Sequence, residues 1–169
     1  MGKITVRKRY AVRKSKLSEI YENLRDNIGE SSDLFRSDRV EIVETNGDRT
    51  TDRIIYLVDK KPHLMETEGQ IFPTLRGAVE KPFFERRIIV DSGAIPFMAK
   101  GADLMRPGIV SASPDIKEGK PLVIVEENHK KPLAIGIALM DYDAMMAAES
   151  GKVAKNIHYV GDDIWNLEI

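Results

Sequence analysis

Two stretches of this chain hold residue types that can do chemistry at a meaningful spacing. Lys3, Arg7, Lys8, Arg9, Arg13, Lys14 and Lys16 place seven positive charges in the first sixteen residues, with no acid among them. Lys and Arg release condensed counterions when they meet a polyanion, so this segment can meet phosphate. The same charges also suit a solvated tail or a strand edge kept soluble by repulsion. The second stretch is Gly93-Ala94-Ile95-Pro96-Phe97-Met98-Ala99-Lys100-Gly101-Ala102-Asp103-Leu104-Met105-Arg106-Pro107-Gly108-Ile109. Three Gly and two Pro punctuate an apolar, helix-like run, and Lys100 and Arg106 flank Gly101-Ala102. A groove floored by Gly and Ala and rimmed by two cations suits a sugar-phosphate strand, with Met105 and Ile109 offering apolar surface to a base. The same glycines also permit tight turns and close packing of a helix on a barrel. At the level of residue chemistry both readings stand.

Most other chemistries are excluded or lack parts. The chain has no Cys, which removes disulfides, thiolate metal sites and thiol catalysis. His63, His129 and His158 stand at no i, i+4 spacing, so no zinc site is expected. There is no Gly-x-Ser-x-Gly elbow and no Gly followed by Lys-Ser or Lys-Thr. Asp91-Ser92-Gly93 reads as a helix cap, and the pairs Asp141/Asp143 and Asp162/Asp163 read as loop acids without a calcium loop's ligand count. No catalytic residue, metal or cofactor is expected. His158, Tyr159 and Trp165 are candidate stacking residues, but strand alternation around Ile157 and Tyr159 and the position of a single Trp near the C-terminus read better as core.

The elements that must position these residues follow from periodicity and punctuation. The length of 169 residues suits one ordinary domain or two small ones, and 42% hydrophobic with 31% charged residues excludes disorder. Net charge is −1, divided as 17 basic and 15 acidic residues over 1–86 and 9 basic and 12 acidic over 87–169. No apolar run approaches the roughly 20 residues that span a bilayer, so a cytoplasmic protein without membrane contact is expected. Ser15 can cap a helix carrying Leu17, Ile20, Tyr21, Leu24 and Ile28, stopped by Gly29. Strands are expected at 40–43 and 54–58, with an Asn46-Gly47 turn between them, and a third at 63–65. Residues 71–79 read as a short helix with Pro73 in its first turn. After Lys81-Pro82 come strands at 87–90, 108–110, 122–126, 133–139 and 156–160, with short helices at 94–105 and 142–149. Short strands at this spacing predict a small, nearly closed β-barrel.

Four blocks in this second half resemble the PUA domain, a small RNA-binding pseudobarrel. They are Val90-Asp91-Ser92-Gly93-Ala94-Ile95, Gly101-Ala102-Asp103-Leu104-Met105-Arg106-Pro107-Gly108-Ile109, Ala134-Ile135-Gly136-Ile137-Ala138, and Asn156-Ile157-His158-Tyr159-Val160-Gly161-Asp162 with Trp165 after it. Phe72-Pro73-Thr74-Leu75-Arg76, ahead of the Pro-containing linker, resembles the pre-PUA domain of the malignant-T-cell-amplified-sequence translation factors. The resemblance implies an α+β chain: an N-terminal α/β pre-PUA domain over 1–84, then a PUA pseudobarrel of mostly antiparallel strands and short helices over 85–169. It implies a compact, stand-alone archaeal member. It also implies RNA binding without catalysis, on a face that maps here to Lys100, Gly101, Ala102, Met105, Arg106, Pro107 and Gly108. The implied partners are tRNA or small-subunit ribosomal RNA, in translation initiation or recycling, with a translation-factor protein as a further partner. The alternative is a protein-interaction adaptor whose groove takes no RNA, which an exposed apolar patch over 17–28 or 71–79 would favour.

Overall fold

The computed structural model describes residues 4–46 and 53–169. Gly47 of the expected Asn46-Gly47 turn, and Lys3 of the basic segment, lie outside them. The chain divides into two compact units, Met1–Phe83 with Asp163–Ile169, and Phe84–Asp162. The last seven residues, expected with the second half, therefore cluster with the first.

The first unit is an antiparallel sheet in the order β1-β2-β3-β4-β5, with β1 Thr5–Ala11, β2 Val40–Asn46, β3 Ile54–Val58, β4 Lys61–Thr67 and β5 Gln70–Pro73. The basic segment becomes β1, an edge strand whose seven residues are all exposed. Helix α1, Lys14–Ile28, buries Ile20, Tyr21, Leu24 and Ile28, the apolar stripe visible in the sequence, and ends at Gly29 with φ of +58°. The Tyr21 hydroxyl donates to the Phe35 carbonyl at 2.6 Å, and burial pushes its pKa up. The cap differs from expectation: the N-cap position is Arg13, without a side-chain bond, and Ser15 sits inside the first turn. Residues 71–73 also differ, for they form β5 against β4. Helix α2, Leu75–Glu80, starts only after Thr74, whose hydroxyl accepts from the Gly77 N–H. The ladder to β4 outweighs the helix-start signal of Pro73, which donates no hydrogen bond and sits at the strand's end.

The second unit is a six-stranded sheet in the order β7-β11-β10-β9-β6-β8, curled around one core. Its strands are β6 Arg87–Val90, β7 Leu104–Met105, β8 Ile109–Ala112, β9 Pro121–Glu126, β10 Pro132–Ala138 and β11 Lys152–Tyr159. All pairings are antiparallel except β6 with β9. Ile88, Val90, Leu122, Ile124, Ala134, Met145 and Val153 fill the interior, with Met145 contributed by α4, Tyr142–Ala147. In the block Ile135-Gly136-Ile137, a Cβ at Gly136 would stand 2.8 Å from the Lys155 carbonyl, so only Gly allows β10 and β11 this approach at the register shift between Ile135 and Gly136.

The β9–β10 turn is organised by a residue that the sequence pattern does not flag. Glu126 is buried, and its carboxylate accepts from the backbone N–H groups of Asn128, His129 and Lys131 at 2.7, 2.6 and 3.2 Å. Burial alone would raise its pKa, but the three donors hold it below the usual carboxylate value of 4.5. A depressed folded-state pKa contributes stability above the unfolded value and loses it as pH falls through the folded one. Glu126→Gln is therefore expected to flatten part of the acid-side loss of stability below about pH 4.5. Urea midpoints of both proteins across pH 3 to 7 check this, and parallel acid curves would contradict it.

Candidate nucleic-acid interface

The segment between β6 and β8 builds one wall of a cleft. Asp91 caps its start, with its Oδ1 accepting from the Ala94 N–H at 3.1 Å. The short helix α3, Ile95–Met98, follows, with Pro96 in its first turn. The Phe97 carbonyl then accepts from Lys100 and Ala102, and the turn closes through Gly101 at φ of +84°. Three bonds from Asn156 on β11 lock this turn to the sheet. Its N–H donates to Asp103 at 3.0 Å, and its amide donates to the Met98 and Ala102 carbonyls at 3.3 and 3.2 Å. A residue 54 positions downstream thus fixes the cleft wall, which gives the Asn156-Ile157-His158-Tyr159 block a structural role.

The cleft holds about 570 Å³. Gly93, Ala94, Ala102 and Gly108 make it shallow and smooth, and Phe97, Met98, Leu104 and Met105 supply apolar surface. Phe97 is 62% exposed and Met105 46% exposed, so an aromatic face and a thioether stand at the solvent boundary of the same cleft. Lys152 joins them because β11 pairs with β7 in the register Lys152↔Met105. Two acids also line the cleft, and each is engaged by the fold. Asp91 caps the turn, and Asp103 takes the Asn156 N–H and an ion pair with Lys152 at 3.2 Å. The arrangement offers stacking, apolar contact and an exposed cation, a combination suited to an unpaired nucleotide.

Of the seven residues expected at the interface, the cleft brings together Ala102, Met105, Pro107 and Gly108. Lys100 is exposed on the adjoining turn. Gly101 faces the other way, since a Cβ there would stand 2.7 Å from the Tyr159 ring. Arg106 does not reach the cleft. Its guanidinium donates to the Met146 carbonyl at 3.2 Å, and the side chain is half-buried. Ile109, expected to offer surface to a base, is a core residue. The sequence reading passed over Phe97 and Lys152. Phe97 carries no signal in the sequence, which reads as one helix over 94–105, whereas the structure ends α3 at Met98 and leaves the ring exposed. Lys152 carries none, because only strand pairing brings it beside Met105.

The aromatic candidates near the C-terminus serve the fold. His158 is buried, and its Nδ1 meets both Asp162 carboxylate oxygens at 2.9 and 3.0 Å. Tyr159 backs Gly101. In the first unit the Arg76 guanidinium lies 4.3 Å from the centroid of the Trp165 ring and donates to the Trp165 carbonyl. Among the described residues no group of three His, Asp or Glu side chains is placed to hold a metal, and no helix is long and apolar enough to cross a membrane.

Comparison with known proteins places both halves. The PUA domain family matches residues 86–160, and the family described as a domain of unknown function, DUF1947, matches residues 8–78. Protein MJ1432 of Methanocaldococcus jannaschii is 40% identical over 167 residues, covering 96% of this chain and 98% of the relative. Translation machinery-associated protein 20 of Schizosaccharomyces pombe is 31% identical over 163 residues, covering 90% and 83%. The crystal structure of hypothetical protein PH0734.1 from Pyrococcus horikoshii superposes with a TM-score of 0.83 at 35% identity, covering 94% of this chain and 98% of that one. With a pre-PUA sheet and helix ahead of a PUA pseudobarrel, and relatives that span almost the whole chain, this protein belongs to the family of two-domain PUA proteins that includes translation machinery-associated protein 20 and the malignant T-cell-amplified sequence proteins.

Proposed function

We propose that this protein is a non-catalytic RNA-binding protein of the translation apparatus, acting on tRNA or the small ribosomal subunit during initiation or recycling. The observation that carries this reading is the cleft beside α3, where Phe97 and Met105 present exposed apolar faces over a floor of Gly and Ala, with Lys100 and Lys152 alongside. A base stacks on such a surface while its phosphate meets a lysine, and neither contact requires a reacting group. A relative that spans most of the chain and is named for its association with the translation machinery supports the setting. The adaptor reading finds less to stand on. The apolar stripe of α1 is buried in its own unit, and within 71–79 the exposed large apolar residue is Val79.

The test is binding of labelled tRNA and of small-subunit RNA fragments by fluorescence anisotropy over a salt series. Binding to at least one is expected to weaken steeply as salt rises. Lys100→Glu with Lys152→Glu is expected to weaken it on the order of 10- to 100-fold near 0.1 M salt, because two attractive phosphate contacts become repulsive. Arg106 is left in place because its guanidinium supports α4, and its loss would disturb the fold. Wild-type protein that binds neither RNA, or a double variant that binds equally well, would overturn the assignment.

A further inference from the structure

The cleft leaves the basic start of the chain unexplained. Six of its cations fall on described residues, along β1 and the first turn of α1. Three are matched by carboxylates: Arg7 meets Glu44 at 3.5 Å, Arg9 meets Glu41 at 2.9 Å, and Lys16 meets Glu19 at 3.4 Å. Arg9 and Glu41 form a two-bond fork, and each holds the other's charged form. Glu44 stands opposite Lys8 in register, but its carboxylate turns to Arg7. Among the described residues no carboxylate lies in ion-pair range of Lys8, Arg13 or Lys14, and all three are exposed. Tyr10 is 47% exposed on the same strand, two residues from Lys8 and so on the same face. Exposed cations interleaved with an exposed aromatic form a surface that follows a nucleic-acid backbone and stacks a base.

We infer that β1 and the first turn of α1 form a second RNA-contacting surface, in which Lys8, Arg13 and Lys14 meet phosphates and Tyr10 stacks on an unpaired base. This inference rests on the proposed RNA-binding role and assigns it a surface separate from the cleft residues. The occupant is RNA and not an added protein strand. An edge strand reading Arg-Lys-Arg repels a further strand unless that strand is acidic, and phosphate meets those charges without strict register.

The test compares four proteins on one labelled RNA over a salt series: wild type, Lys8→Gln with Arg13→Gln and Lys14→Gln, Tyr10→Ala, and the cleft variant Phe97→Ala. Single-stranded contacts contribute about 0.7 each to the slope of log K against log salt, so the triple variant should lose about 2 from that slope. The loss should be on the order of 100-fold near 0.1 M salt and should fade toward about 1 M. Tyr10→Ala should weaken binding at every salt concentration and leave the slope unchanged. All four positions are exposed, and circular dichroism checks that each variant is folded. A triple variant with wild-type slope and affinity, beside a cleft variant that has lost binding, overturns this surface and leaves the cleft intact. A triple variant that keeps RNA but loses an acidic protein partner overturns it in favour of strand addition. Wild-type protein that binds no RNA overturns both assignments.

Discussion

Phe97→Ala is expected to weaken binding of single-stranded RNA roughly 5- to 150-fold while leaving the fold untouched. The range follows from the approximately 1–3 kcal/mol that one base–aromatic stack is worth. The ring projects from a four-residue helix and is mostly exposed, so its removal opens no internal cavity. Stability should stay within about 0.5 kcal/mol of wild type, as for other surface changes away from caps and networks. The loss should persist at high salt, because stacking releases no counterions, whereas the lysine variants should recover in relative terms as salt rises. Anisotropy titrations at two salt concentrations separate these behaviours. Wild-type affinity in Phe97→Ala would mean that the ring is exposed for some other reason.

Gly101→Ala is expected to destabilise the second unit by about 2–5 kcal/mol, with two separable causes. At φ of +84° any L side chain is strained, and the new Cβ would sit 2.7 Å from the Tyr159 ring. Conformational strain accounts for about 1–2 kcal/mol and overpacking for about 1–3 kcal/mol. Shortening the ring with Tyr159→Leu in the same protein should recover the overpacking part and leave the strain. A double-mutant cycle followed through the amide signals of β10 and β11 in urea reads the coupling directly. A single variant as stable as wild type would show that the turn holding Lys100 and Ala102 rearranges freely. In that case the cleft wall would not be the rigid element that Asn156 appends to the sheet.

What the sequence showed and what it hid divide along a physical line. Elements fixed by local periodicity were legible: α1 from its 3–4 spacing, β3 and β6 to the residue, and the β9 and β10 runs nearly so. Misreadings came where a distant partner overrides a local signal. Pro73 looks like a helix start, but the ladder to β4 holds it as a strand. Arg106 looks like a rim cation beside Gly101, but the Met146 carbonyl, 40 residues away, takes its guanidinium. Four of the seven expected interface residues line the cleft because they share one continuous wall segment. Lys152 reaches it only through the pairing of β7 with β11, and no pattern within a short window encodes that pairing.

The most direct test of the cleft uses methionine methyl groups as reporters and needs no substitution. The chain has seven Met, and their positions in the fold differ. Met105 and Met98 line the cleft, whereas Met65 is buried on β4 of the first unit and Met145 lies in the core of the second. Protein labelled with 13C at the Met methyls is titrated with a short single-stranded RNA and followed by NMR. A base entering the cleft should shift the exposed Met105 methyl most, by its ring current, and Met98 less, with Met65 and Met145 unmoved. Saturable RNA binding that leaves Met105 at its free position would contradict the account.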